Sequence, residues 1–148
     1  MRAVSVRSSE RGDLRVWGTG SFENEAAMRW VEHLEDAPDL EWVVSSLDEV
    51  LELDEAGDAP DSRSASRAIA AAETVAALAS EPASSLPEEV RQWCFDNPGA
   101  ELDEITPRAL QALGVVLGES ALREIYEEAG DLDGWEAEVE GLRDRLRG

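Results

Sequence analysis

The 148-residue chain contains one cysteine, one histidine and no lysine, and each scarcity excludes a class of protein. Because Cys94 is alone, no internal disulfide can form, which favours a reducing compartment. A structural zinc site needs four Cys or His ligands, and a helical di-iron site needs two Glu-x-x-His motifs. Cys94 and His33 satisfy neither pattern, so we expect no metal and no cofactor.

Long apolar runs are also missing. No stretch approaches the ~20 apolar residues that span a bilayer. The N-terminus carries arginines but lacks the apolar region of a secretory signal. We therefore expect a cytoplasmic protein that has no membrane partner.

Basic charge is scarce as well, because 13 arginines face 34 acids and the net charge is −21. Residues 23–61 are the most acidic part, with Arg29 as their single basic residue. Such a field repels phosphate, which proteins bind by neutralising it with Lys and Arg, so we expect no direct nucleic-acid binding. Complementary charge favours a basic protein partner. A surface acidified for solubility, or shaped by a salt-adapted or high-GC source, explains the charge equally well.

Apolar periodicity predicts an all-α domain of six or seven helices. The predicted helices cover about Glu25–Glu35 (capped by Asn24), Pro38–Leu53, Ser64–Ala79, a segment that begins at Pro87, Pro107–Leu117 (capped by Thr106), Ser120–Ala129 (ended by Gly130) and a last segment that begins at Asp131 or Asp133. The third of these is nearly all alanine, so we expect it to be the buried central helix. Short pieces at residues 3–6 and 14–17 are the only β candidates.

The domain organisation follows from the same pattern. Residues 1–14 lack a sustained apolar period and are predicted to form a flexible N-terminal extension. Residues 15–148 are predicted to form a single helical domain, which is the expectation for a chain of this length.

One segment stands out near the N-terminus, reading Trp17-Gly18-Thr19-Gly20-Ser21-Phe22-Glu23-Asn24. Glycine permits unusual backbone angles, so the segment is predicted to be a structured loop, with Trp17 and Phe22 pinning it to the core. It resembles the opening of an uncharacterised bacterial family, a domain of unknown function whose members begin with W-G-x-G-x-F-E/D-N-D/E. An Ala-Ala-Glu in the central helix, ending at Glu73, is similar to that family too. The resemblance implies no activity.

Glu73 is the only acid between Ser62 and Ser80, inside the helix that we expect to be buried. A buried carboxylate must be paired or neutralised. Arg29, Arg67 and the indole N–H of Trp17 or Trp30 are candidate partners. Glu73 is either a catalytic or ligand-binding acid, or a structural bond between loop and helix, and the structural interpretation is favoured.

A set of carboxylates falls on one stripe of the second predicted helix: Glu41, Asp48, Glu52 and Glu55. We call this set the acidic face. Like charges at this spacing are slightly unfavourable to the helix itself. The stripe is either a docking surface for a cationic partner or an ordinary solvated surface.

Other candidate chemistry is weaker. Cys94 and His33 are the only pair for thiol chemistry, but Cys94 is predicted to face inward beside Trp93, as a small buried hydrophobe. The sequence Asp131-Leu132-Asp133-Gly134 matches only the start of a calcium loop. No catalytic set is identified.

Three functions remain open. The first is a small acidic non-enzymatic binding protein, similar to an immunity protein, an antitoxin or an inhibitor of a basic partner. The second is a subunit of an assembly that uses exposed Leu and Trp side chains of the last helix. The third is an enzyme or small-ligand binder whose site is built from the Trp-Gly segment and Glu73. Its possible binding residues are Trp17, Gly18, Gly20, Phe22, Glu23, Asn24 and Glu73, with Glu23 and Glu73 as a candidate pair of carboxylates.

Overall fold

A computed structural model describes residues 14–98 and 101–148, and these residues form seven α-helices and no β-strand. The helices are α1 (Glu25–Glu35), α2 (Glu41–Glu55), α3 (Ser62–Leu78), α4 (Glu88–Asp96), α5 (Ile105–Gly118), α6 (Ala121–Ala129) and α7 (Leu132–Arg147). The prediction of an all-α fold is confirmed.

Side chains that cap the helices explain several of these boundaries. Asn24 Oδ1 accepts from the Ala27 N–H at 2.8 Å and starts α1, and the Ser120 hydroxyl accepts from the Arg123 N–H at 3.1 Å and starts α6. Each bond satisfies a first-turn N–H that has no partner within the helix. Gly130 ends α6 with a φ of +80°, a left-handed conformation that costs glycine little.

Three predicted helix starts are wrong. Helix α3 begins at Ser62 rather than at Ser64, and Asp61 caps it by accepting from the Ser64 N–H at 2.7 Å. Helix α2 begins at Glu41 rather than at Pro38, because Asp39 Oδ1 accepts from the Glu41 N–H at 2.9 Å in the preceding turn. Thr106 does not cap α5. Its N–H instead donates to the Leu102 carbonyl at 2.9 Å, so Thr106 already lies inside the helix.

The alanine-rich helix α3 is central, as predicted, and it contacts each of the other six helices. Six of its alanines are fully buried: Ala65, Ala68, Ala70, Ala71, Ala72 and Ala76. Small side chains allow neighbouring helix backbones to approach closely, so one short-side-chain helix can be surrounded on most sides. The core is therefore built around α3.

Leu14, the first residue that the structure describes, is buried in this core rather than belonging to a flexible extension. The predicted extension otherwise covers residues 1–13, which lie outside the described residues together with the β candidate at 3–6. The second β candidate contributes only an isolated antiparallel bridge between Val16 and Asn24. The bridge brings the chain before and after the Trp-Gly segment together.

Helix α7 buries the apolar stripe on which the assembly hypothesis relied. Trp135, Val139, Leu142 and Leu146 are all buried against the rest of the domain. The expectation of exposed Leu and Trp side chains on this helix is therefore wrong.

None of the helices formed by the described residues combines the length and apolarity that a bilayer crossing requires.

Candidate functional site

Residues 17–24 form a closed turn, which we call the Trp-Gly loop. The Trp17 N–H donates to the Glu23 carbonyl at 2.9 Å, and the Glu23 N–H donates to the Gly20 carbonyl at 3.1 Å. The Gly20 N–H donates in turn to Glu23 Oε1 at 2.9 Å. The Glu23 side chain thus folds back under its own loop and satisfies a backbone donor there.

The two glycines of the loop leave room for the Glu23 carboxylate, and neither has a positive φ. A Cβ added to Gly18 would overlap the Glu23 carboxylate, and one added to Gly20 would lie 2.7 Å from Glu23 Oε1. The sequence analysis predicted unusual backbone angles at these positions, and that reason is wrong. The close approach of Glu23 is the physical cause.

The two aromatics of the loop have opposite environments. Phe22 is buried and pins the loop to the core, as predicted. Trp17 does not, because 58% of its surface is exposed. The residue that we expected to anchor the loop is thus presented to solvent.

Glu73 lies on α3 directly beneath the loop, and its side chain is 3% exposed. The Ser21 hydroxyl donates to Glu73 Oε2 at 2.6 Å. The Arg145 guanidinium donates to Oε1 at 2.9 Å and to Oε2 at 3.2 Å. A bidentate arginine and a hydroxyl are a strong donor set for a buried carboxylate. Loop, central helix and last helix therefore meet at one carboxylate.

None of the partners predicted for Glu73 is used. Arg29 pairs with Glu25 on its own helix, and Arg67 pairs with Glu49 on α2. The Trp30 indole donates to the Ser46 hydroxyl at 2.8 Å, which satisfies that buried N–H. The actual partner, Arg145, is 72 residues from Glu73 in sequence, and no local pattern singled it out.

Tyr126 of α6 holds the loop from another direction. Its hydroxyl donates to the Gly18 carbonyl at 2.7 Å, and its ring stacks on Trp135 with centroids 5.5 Å apart. Burial, aided by the negative charges of Glu23 and Asp131, raises the pKa of the Tyr126 hydroxyl above its usual range. The hydroxyl therefore stays a donor. The sequence analysis assigned Tyr126 only to the apolar stripe of its helix.

A cleft of about 810 Å³ lies between the Trp-Gly loop, residues 82–87 and α7. Glu23 and Arg145 line it, and Glu73 does not. The two carboxylates of the enzyme hypothesis therefore have different surroundings: Glu23 borders an open cleft, whereas Glu73 is covered and hydrogen-bonded. A ligand in this cleft would meet Glu23, the Arg145 guanidinium and Ser84 and Ser85.

The acidic face lies on the side of α2 opposite its buried residues Val43, Leu47 and Val50. Glu41, Glu52 and Glu55 are exposed. Asp48 is partly covered and pairs with Arg108 of α5 at 3.4 Å. Three of the four predicted docking carboxylates are thus open to solvent, and the fourth is engaged within the domain.

Cys94 and His33 do not come together. Cys94 is half-buried rather than fully inward, and it lines a cleft of about 610 Å³ beside Phe95. Burial raises the pKa of its thiol to about 11, against a smaller lowering effect of Arg91. His33 is exposed on α1, with its ring 5.1 Å from that of Trp42. Within residues 14–98 and 101–148, no group of three or more His, Cys, Asp or Glu side chains is placed to hold a metal ion.

A comparison with models of known protein families found a match. A family model described as a domain of unknown function (DUF4259) matches residues 16–138. The chain belongs to this family. The matched part of the DUF4259 domain includes the Trp-Gly loop and Glu73, and it ends before Arg145. Searches of the curated proteins and of the solved structures found no match.

Proposed function

We propose that this DUF4259 protein is a non-enzymatic binding protein whose acidic face docks a basic protein. An immunity protein, an antitoxin or an inhibitor of a basic nuclease works in this way, and a bacterial cytoplasmic setting is part of the proposal. The acidic face would occupy the partner's cationic surface in place of a phosphate backbone. Electrostatic attraction between the two would speed their encounter.

The observation that carries this proposal is the C-terminal end of α2. Glu52, Asp54 and Glu55 fall in or next to its last turn, which contains no basic residue. The helix dipole is negative there, so each carboxylate is unfavourable by about 0.3–1 kcal/mol. No ion pair with a described residue relieves them. A cationic partner side chain at this end would compensate both the carboxylates and the dipole.

The surroundings of Glu73 support a non-enzymatic protein. Both of its oxygens accept hydrogen bonds from Arg145, and one accepts a further bond from Ser21. A carboxylate with this donor set is well suited to anchoring the loop. A general base must be within reach of substrate, whereas the Glu73 side chain is 3% exposed and does not line the neighbouring cleft.

The test is to neutralise the open part of the acidic face. A variant with Glu41→Gln, Glu52→Gln and Glu55→Gln removes three charges and leaves the Asp48–Arg108 ion pair intact. The matched control removes three exposed charges elsewhere, by Glu119→Gln, Glu124→Gln and Glu127→Gln. Each tagged protein is used to capture partners from its own cells at low and at physiological salt. Captured proteins are identified by mass spectrometry, and affinity is then measured by calorimetry.

We expect the wild type and the control to capture the same basic protein, with recovery that falls as salt rises. The acidic-face variant should lose most of that binding. Equal affinity of the two triple variants for the captured partner would contradict the proposal, as would recovery of no basic protein in either salt condition.

A further inference from the structure

Trp17 is presented to solvent by a backbone that is fixed on both sides. Its own N–H is bonded to the Glu23 carbonyl at 2.9 Å, and the following carbonyl, of Gly18, accepts from the Tyr126 hydroxyl at 2.7 Å. The preceding residue, Val16, forms the bridge to Asn24. An isolated exposed aromatic is ordinary, but one whose backbone is held in this way is preorganised for contact.

Beside the indole lies a cleft of about 410 Å³, separate from the one that Glu23 and Arg145 line. Its lining combines polar and apolar surface, and includes Leu14, Val16, Trp17, Ile125, Tyr126 and Asp131. Among residues 14–98 and 101–148, Asp131 is the single charged side chain of this lining. The cleft therefore offers an aromatic surface, the apolar side chains of Leu14, Val16 and Ile125, and the Asp131 carboxylate.

The electrostatic field in this cleft is negative. Asp131 and Glu23 both act on the Tyr126 hydroxyl in the wall, and both favour its protonated form. Arg15, the nearest basic residue in sequence, is exposed and does not line the cleft. A cation that enters is thus attracted by Asp131, and no described residue of the lining carries a competing positive charge.

We propose that Trp17 and Asp131 form a receptor for an arginine side chain of a partner protein. The guanidinium would stack on the indole face while donating to the Asp131 carboxylate, and the methylene groups of the arginine would lie along the apolar side chains of the lining. Arginine fits better than lysine, because its planar group both stacks on an aromatic ring and donates to a carboxylate from its edge. The receptor uses no residue of α2, so its test is independent of the test of the acidic face.

The probe is a short peptide, acetyl-Gly-Arg-Gly-amide, titrated into the full-length protein labelled with ¹⁵N. The indole N–H signal of Trp17 is identified as the one that disappears in Trp17→Phe. A peptide with citrulline in place of arginine serves as the neutral control of the same shape. We expect saturable movement of the Trp17 signal with the arginine peptide only. Equal movement with the citrulline peptide, or movement no larger than that of the Trp42 signal, would overturn the proposal.

Two variants test the individual groups. Asp131 makes no capping hydrogen bond with its side chain, so Asp131→Asn should leave α7 intact while raising the Kd about two- to fivefold. Asp133→Asn is the matched control, since it removes an equally exposed charge two residues away and should leave the Kd unchanged. Trp17→Ala should abolish saturable binding, followed through the remaining signals of the cleft. An unchanged Kd in either Asp131→Asn or Trp17→Ala overturns the receptor.

A competing occupant is this chain's own N-terminal segment, which carries Arg2, Arg7 and Arg11. The variant in which these three are replaced by Gln separates the two cases. If peptide affinity stays the same, the receptor is open to a partner, as proposed. If peptide affinity rises tenfold or more, the segment itself occupies the cleft, and the proposal of a partner's arginine is wrong.

Discussion

Removing Arg145 should destabilise the protein far more than removing another arginine of the same helix. In Arg145→Met the Glu73 carboxylate keeps only the Ser21 hydroxyl as a donor, while its side chain is 3% exposed. Leaving one partner of a buried ion pair uncompensated costs about 3–5 kcal/mol. The Arg145 side chain is 25% exposed, which places the expected loss at the lower end, about 3 kcal/mol.

For a domain of this size, a loss of about 3 kcal/mol lowers the melting temperature by about 6–12 °C. Urea unfolding followed by circular dichroism measures the free energy, and thermal unfolding provides the second estimate. Arg147→Met is the matched control, because Arg147 forms only an exposed pair with Asp144 at 3.2 Å. Its loss should cost less than about 1 kcal/mol.

Adding Glu73→Gln to Arg145→Met should restore a large part of the lost stability, since the amide places no charge in the buried site. The reasoning would be refuted if Arg145→Met were no less stable than Arg147→Met. It would equally be refuted if the Glu73→Gln change made the Arg145→Met protein less stable still.

Three further predictions concern the Trp-Gly loop and the half-buried thiol of Cys94. Gly18→Ala should displace the Glu23 carboxylate and lower the free energy of unfolding by about 1 kcal/mol. In a Glu23→Ala background the same change should cost almost nothing. Equal costs in the two backgrounds of this double-mutant cycle would exclude the steric explanation. Tyr126→Phe should lose about 1 kcal/mol, measured by urea unfolding, because the Gly18 carbonyl loses its donor; no loss would mean that water replaces the hydroxyl at no cost. Cys94 should be alkylated by iodoacetamide much more slowly at pH 8 than an unfolded thiol, with a rate that climbs towards pH 11, because the thiolate is the nucleophile. Since burial raises this pKa on folding, the associated stability is present below the unfolded value near 9 and is lost as the pH rises towards 11; flat stability over that window would contradict the assignment.

The helices were predictable because their signals are local. The apolar period of α1 and the Asn24 cap lie within a few residues of each other, and the predicted span matches the observed Glu25–Glu35. The start of α2 was missed because Asp39 forms a side-chain turn that competes with helix extension towards Pro38. Each signal of this kind spans three or four residues, which is the range over which helical hydrogen bonds form.

The loop was only partly predictable. Its glycines and Phe22 identified a structured turn, but the sequence could not assign the exposed and buried positions of the two aromatics. Trp17 and Phe22 are both large aromatic residues, so only the tertiary packing around the loop determines which one is covered. The burial of Glu73 was predicted from the apolar residues around it on α3.

By itself the sequence determined the all-α class, the central position of α3, the caps at Asn24 and Gly130, and the need of Glu73 for a partner. Tertiary structure alone decided that the partner is Arg145, 72 residues away, and that Tyr126 reaches Gly18 across 108 residues. Periodicity and capping depend on neighbours along the chain, whereas an ion pair depends on which helix ends meet in space. Thirteen arginines are chemically equivalent until the helices pack, and packing then brings one of them to the buried carboxylate.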